Sequence, residues 1–307
     1  MKRETIKGIE ERIEQLRGDI PYLEKAVKKR DPKGIERSSH FLIYLLHKIA
    51  KNAVQMGTGD AISVMNDFIY KQKLRKMQEE RKYVNVKKQY SIWSKGYDAT
   101  NNVAIYLEEK HSGKFIGGVK GKRVLDFGCG TGRYSVPLAK KGAGVTAIDF
   151  TQGMLNEAKK KAKKEKVEID FSLQDITKYE SLQTFDLIIS MLVLDHIKSL
   201  RKIVRVMKKA SHVGTEVVIS NIHPSWILKN FSKSGKEQGY LVEGYVTDQF
   251  YHPLEEYVSL FGGAGFILSD VKEVIYENQY QNFKRFEGSR IFKDRPVLLM
   301  MKFRRVE

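Results

Sequence analysis

The chain has 307 residues, 41% hydrophobic and 30% charged, proportions that exclude a disordered, collagen-like or disulfide-stapled protein and are enough for one large domain plus a smaller one. Its single cysteine excludes an internal disulfide and a cysteine-based metal site, and fits a reducing, cytoplasmic setting. Lys and Arg number 55 against 37 Asp and Glu, a net of +18; residues 1–96 hold 22 basic and 12 acidic residues, so +10 of it falls there. That balance favours anionic partners such as RNA, DNA or lipid, but the charges are interleaved with acids, the pattern of a solvated surface. No apolar run reaches the ~18 residues of a membrane span, and the charged start carries no apolar leader core, so neither a span nor a signal peptide is expected.

The first ninety or so residues read as helices only. Ile6, Ile9, Ile13 and Leu16 form one helical stripe. Asp31-Pro32 opens a second helix carrying Ile35, Leu42, Leu45, Leu46 and Ile49, stopped by the glycines at 57 and 59. Asp60 caps a third, with Ile62, Met65, Phe68 and Ile69 on one side. From about residue 122 strands and helices alternate. Strands are expected over 122–128, 144–150, 167–174, 185–192 and 215–223, with helices over 133–141, 152–164 and 200–209 between them. Residues 224–251 are aromatic and irregular. A helix over 254–261, stopped by Gly262-Gly263-Ala264-Gly265, and strands near 267–277 and 296–304 finish the chain. Such alternation predicts an α/β, doubly wound, mostly parallel sheet with ligands at the carboxyl ends of its strands.

The strongest motif is Val124-Leu-Asp-Phe-Gly-Cys-Gly-Thr-Gly-Arg-Tyr134, a buried strand running into glycines and then a helix. The third glycine stands at 132, one place earlier than in a dinucleotide fingerprint, so a ligand without phosphates suits the loop. Asp149 ends the second strand, 21 residues after Gly128, where a carboxylate takes ribose hydroxyls; Asp175 ends the third, placed to accept from an adenine amino group.

Together with Ala147-Ile-Asp-Phe150, Met154-Leu155, Gln174-Asp-Ile176 and Ser190-Met-Leu-Val-Leu-Asp-His196, this set resembles the class I S-adenosylmethionine-dependent methyltransferases over about 122–304. The resemblance implies a seven-stranded Rossmann-like sheet over 90–307, with a lid insertion at 224–251 and an all-α cap or bundle over 1–89. It implies S-adenosyl-L-methionine as cofactor, S-adenosyl-L-homocysteine as product, and no metal. By position it places Gly128, Gly130 and Gly132, with Asp126 and Cys129 in the same run, at the methionine part of the cofactor. Asp149 would hold the ribose, Phe150 and Met154 would border the adenine, and Asp175 and Ile176 would hold its edge. Met191 would lie by the sulfonium, and Trp93 and Tyr97, in Tyr90-Ser-Ile-Trp93 and Gly96-Tyr97-Asp98, would close over it as an aromatic face.

Methyl transfer from a cationic sulfur needs alignment and dryness more than a nucleophilic residue. Where the acceptor must lose a proton, His223 at the end of the fifth strand is the first candidate base and His196 the second. DNA amine methylation is disfavoured, since Ser190-Met-Leu-Val stands where an Asn/Asp-Pro-Pro-aromatic run is needed, and Cys129 inside the glycine loop does not suit cytosine C5 chemistry. The expected acceptor is a small organic molecule under the aromatic segment with Trp226, Phe231, Tyr240, Tyr245, Phe250 and Tyr251. The alternatives are an RNA methyltransferase docking through the basic N-terminal region, and a non-catalytic binding or scaffold protein. A homodimer through the N-terminal helices stays open.

Overall fold

The structure, a computed structural model, describes residues 85–99, 102–225, 249–276 and 296–307. The helices expected before residue 85, with their cap, dimer or RNA-docking roles, lie outside the described residues, as does the lid segment from 226 to 248.

The described chain opens with α1 (Val86–Trp93), whose N-cap Asn85 accepts from Lys88 N at 2.9 Å. A 3-10 turn, Tyr97–Ala99, leads to α2 (Val103–Ile116), capped by Asn102 and ended by Gly117. Alternation then begins: β1 (Arg123–Phe127), α3 (Ser135–Lys140), β2 (Gly144–Asp149), α4 (Gln152–Glu165), β3 (Asp170–Leu173), β4 (Phe185–Met191), α5 (Leu200–Lys209), β5 (Ser211–Ile222), α6 (Leu254–Gly262), β6 (Phe266–Ile275) and β7 (Pro296–Arg305). The seven strands form one sheet in the order β3-β2-β1-β4-β5-β7-β6. Neighbours from β3 to β5 are parallel, while β7 runs antiparallel between β5 and β6.

The central strands are mostly apolar because both faces are covered. Alternation sorts them: Val124, Leu187, Ile189 and Val218 join Leu107 and Phe115 of α2 on one face, while Leu125, Phe127, Ile188, Val217 and Ile219 meet Met207, Tyr257 and Phe261 on the other. β6 stays largely exposed and carries Asp270, Lys272 and Glu273, charges that discourage pairing at an open edge.

Three expectations are corrected here. α2 falls in a stretch not read as any element. β5 starts four residues earlier than expected, at Ser211, because Gly214 (φ 97°) and a register shift between Phe185 and Leu187 absorb an irregularity that looks in sequence like a break. The division at 89/90 cuts through α1, which docks whole on α4: Gly153 approaches so closely that an added Cβ would lie 2.7 Å from Ser94 Oγ. Among the described residues, no helix is long and apolar enough to cross a membrane.

Candidate active site

The chain runs outward from β1 to β2 and β3, then returns to β4, so a crevice opens where β1 and β4 diverge at their carboxyl ends. A cleft of about 570 Å³ lies there. Gly128 and Gly130 give it a backbone floor at the end of β1. Gly128 has φ 76°, and a Cβ there would stand 2.6 Å from Val193 Cγ2, so only glycine fits. At Gly130 an added Cβ meets nothing within 4 Å; that bare space faces the cleft.

Asp149 ends β2 with its carboxylate buried. Oδ1 accepts from Thr151 N at 2.8 Å and Oδ2 from Gly130 N at 3.0 Å, which ties the glycine loop to β2. Burial pushes this carboxyl above its ordinary range, against the pull of those backbone amides. Each oxygen keeps capacity for a further donor. Phe150 and Met154 follow on the same wall. Asp175 stands beyond β3 and caps the turn Ile176–Lys178 through Thr177 N at 2.9 Å, so it and Ile176 reach the cleft together.

The β4 wall is Met191, Leu192 and Val193. Leu192 holds φ 60°, a left-handed conformation unfavourable to a branched side chain. It is held there by Ser220, whose backbone oxygen accepts from Leu192 N at 2.9 Å. Tyr90 and Tyr97 supply the opposite wall. Asp98 fixes the turn under Tyr97 by accepting from Thr131 Oγ1 at 2.7 Å and pairing with Lys161 at 2.6 Å. Burial pushes the Tyr97 hydroxyl up to about 12, so it stays protonated at neutral pH.

Ten of the fifteen candidate residues therefore meet: Tyr97, Gly128, Gly130, Asp149, Phe150, Met154, Asp175, Ile176, Met191 and His196. The other five do not line this cleft. Asp126 is buried under the loop, where it accepts from Ser135 Oγ at 2.5 Å and fastens α3 to β1. Cys129 is buried behind the loop, its thiol pushed up by burial. Gly132 turns toward α4, where a Cβ would lie 3.1 Å from Ala158 Cβ, and borders a separate open cleft of about 900 Å³ between α2, α3 and α4. Trp93 is buried behind Tyr97, edge-to-face at 4.8 Å, and Tyr90 takes the wall position instead. His223, the first candidate base, bonds Glu273 Oε1 at 3.0 Å and Ser225 Oγ at 2.7 Å, and partial burial lowers its pKa. It links the end of β5 to the edge strand β6. His196 does line the cleft, with Nε2 at 2.9 Å from the Tyr90 hydroxyl.

Sequence reasoning missed Val86, Leu192, Val193 and Lys202 on this wall, and it quoted Tyr90 without assigning it a role. The spacing 86, 90 and 93 puts Val86, Tyr90 and Trp93 on one helical face, so the sequence alone does not choose between the two rings.

This sheet order, with an acid ending β2 and a glycine loop at the switch point, is the architecture of a class I S-adenosylmethionine-dependent methyltransferase domain. Known proteins agree. A methyltransferase-domain family model matches residues 119–281, just over half of the sequence, and the chain belongs to that family. A ubiquinone biosynthesis O-methyltransferase of Coxiella burnetii is 32% identical over 141 residues, 45% of this chain and 60% of that one, so the match spans under two thirds of the relative. Two solved methyltransferases share the fold: one from Listeria monocytogenes (TM-score 0.54, 19% identity, 66% of this chain and 98% of that one) and one from Mesorhizobium loti (TM-score 0.53, 20% identity, 65% and 98%).

Proposed function

We propose that the chain is an S-adenosylmethionine-dependent methyltransferase acting on a small organic acceptor in a reducing, cytoplasmic setting. The observation that carries the reading is the convergence of Gly128, Gly130, Asp149 and Asp175 on one cleft at the carboxyl ends of the strands. The donor set fits the cofactor: bare backbone for its amino-acid part, a buried carboxylate with spare acceptor capacity for the ribose, and Phe150, Met154 and Ile176 as flat apolar cover for the adenine. When bound, that cofactor supplies a methyl group on a cationic sulfur. The residues around it orient and exclude water. Met191 and Leu192 form the β4 wall, and the Tyr90 and Tyr97 rings offer π faces to a positive charge. His196 is the base on this wall for an acceptor that must lose a proton. The likeness to an O-methyltransferase of Coxiella burnetii supports an oxygen acceptor. α1 opens at the Asn85 cap, so we place the start of the methyltransferase domain there and not at residue 90.

Calorimetry with S-adenosylhomocysteine and with NAD tests the reading. The first should bind much the tighter; the reverse order sinks it. Asp149→Ala removes up to two charge-assisted hydrogen bonds and should cost about 2–4 kcal/mol of cofactor affinity. An unchanged dissociation constant in a folded variant would take the ribose site elsewhere.

A further inference from the structure

β4 leaves the sheet at Leu192, and a side chain of β5 takes over where the backbone ladder stops. Leu192, at φ 60°, still donates its N–H to Ser220 O at 2.9 Å. Beyond that kink the chain enters the short 3-10 turn Leu194–His196, whose cap residue, Val193, has no side-chain acceptor to offer. Such a turn leaves its first backbone N–H groups without partners of its own. Asn221 takes two of them: its Oδ1 accepts from Leu194 N at 3.0 Å and from Asp195 N at 3.3 Å. A backbone N–H only donates, so the atom that faces both is the oxygen. The amide nitrogen then turns to the Tyr257 hydroxyl on α6, 2.7 Å away. Asn221 is buried, and both ends of its amide are in use.

Three parts of the cleft ride on this turn. Leu192 is wall, and Val193 presses on the glycine loop so closely that a Cβ on Gly128 would lie 2.6 Å from it. His196 brings its Nε2 to 2.9 Å from the Tyr90 hydroxyl. The far end of the turn is tied as well, since His252 has Nε2 at 2.7 Å from Ile197 O and Nδ1 at 2.8 Å from Glu256 Oε2. Both ties therefore end on α6, at the adjacent residues Glu256 and Tyr257.

We propose that Asn221 is a positioning residue for methyl transfer: it caps the turn from the neighbouring strand and so presets His196 and the Leu192–Val193 wall against the cofactor. This rests on the proposed methyltransferase function. Leu194 and Asp195 are buried, so without Asn221 their N–H groups gain an acceptor only if the turn shifts toward water. A shift of about 1 Å in the groups that align a reaction costs about a hundredfold in rate.

The test uses full-length protein and two variants. Asn221→Leu keeps the bulk and removes the acceptor, whereas Asn221→Asp keeps an oxygen on the two amides in either protonation state. Nitrogen NMR of ring-labelled histidine reports on His196, assigned by the signals that His196→Gln removes. Tyr90→Phe supplies the spectrum of that ring without its hydroxyl partner. Asn221→Leu should move the His196 signals toward those of Tyr90→Phe, and Asn221→Asp should leave them near the native positions. Transfer from radiolabelled S-adenosylmethionine into heat-treated cell extract, counted over all pools, should fall about a hundredfold in Asn221→Leu and largely return in Asn221→Asp. Affinity for S-adenosylhomocysteine should stay close to the native value in both, which separates misplacement from loss of fold. Native His196 signals or a native rate in Asn221→Leu overturns the proposal, as does an Asn221→Asp variant no better than Asn221→Leu. If Asn221→Leu does not fold, a crystal structure of the native complex with S-adenosylhomocysteine decides: Leu194 N and Asp195 N on Asn221 Oδ1 uphold the cap, and any other acceptor overturns it. Failure of S-adenosylhomocysteine to bind the native chain would instead overturn the methyltransferase reading, while the histidine spectra would still show whether Asn221 places the turn.

Discussion

Asp126 and Asp149 are both strand aspartates near the glycine loop, and the fold gives them opposite work. Asp149 is the last residue of β2 and reaches the cleft. Asp126 stands one residue before the end of β1, on the Val124 side of the sheet, where Ser135 meets it. Asp126 is in register with Ala147, so it shares a sheet face with Asp149 two residues further on; what separates the two is depth along the strands, Asp149 lying level with the glycine loop that it bonds. What the sequence lacked was the position of α3, which decides what lies on that side. Burial raises the Asp126 carboxyl to about 7, the bond from Ser135 opposing it. The folded state then holds a proton that the unfolded chain has released, so stability should fall as pH rises from about 4 to about 7 and level off above. Asp126→Asn keeps the bond from Ser135 and removes the titration. Urea unfolding across that range should give a flatter pH profile for the variant, with greater stability than the native chain near pH 7. Parallel profiles would mean that Asp126 is ionised at ordinary pH. Trp93 and Tyr90 carry a similar lesson, since composition announces an aromatic face but only the docking of α1 on α4 decides which ring faces the cleft.

Among the elements, β1, β2, β4, α4, α5 and α6 were legible to within a residue or two from their apolar runs and stripes. α2 was not, because its buried face carries Glu108 and Ser112 among Val103, Leu107 and Phe115, which breaks the apolar stripe. The interruption is structural. Glu108 is wholly buried and pairs with Arg133, just after the glycine loop, and with the Ser220 hydroxyl on β5. Ser220 in turn holds Leu192 in its left-handed conformation. One carboxylate thus joins α2, the loop and the wall of the cleft. Glu108→Ala leaves Arg133, whose side chain is only 12% exposed, with just the longer pair to the exposed Glu109 at 3.6 Å, and should cost about 3 kcal/mol of stability. Glu108→Gln keeps the shape and one acceptor and should cost less. Chemical denaturation of the two variants separates these outcomes; equal, small losses would show that water replaces the pair.

Over the whole molecule, the excess of +18 is the feature that the fold absorbs least. The lysine-rich face of α4 is partly neutralised within the chain: Lys160 pairs with Glu157, Lys161 with Asp98, and Glu165 with Lys140. Exposed pairs of this kind contribute little stability, but they lower the local potential that an anionic polymer would meet. A small-molecule enzyme and an RNA enzyme then differ in how salt acts on them. Six to ten phosphate contacts weaken binding by about 10³–10⁵ between 50 and 200 mM salt, whereas the cofactor cleft, walled by apolar and buried groups, should hold its ligand nearly unchanged over that range. Full-length protein should therefore retain unrelated RNAs alike at low salt, release them by about 200 mM, and keep its affinity for S-adenosylhomocysteine throughout. Filter binding across the salt series measures the first, calorimetry the second. Radiolabelled cofactor incubated with fractionated cell extract should then place label in the small-molecule pool. One RNA still bound above 200 mM, with label in the RNA pool alone, would reverse the choice of substrate and leave the cofactor site standing.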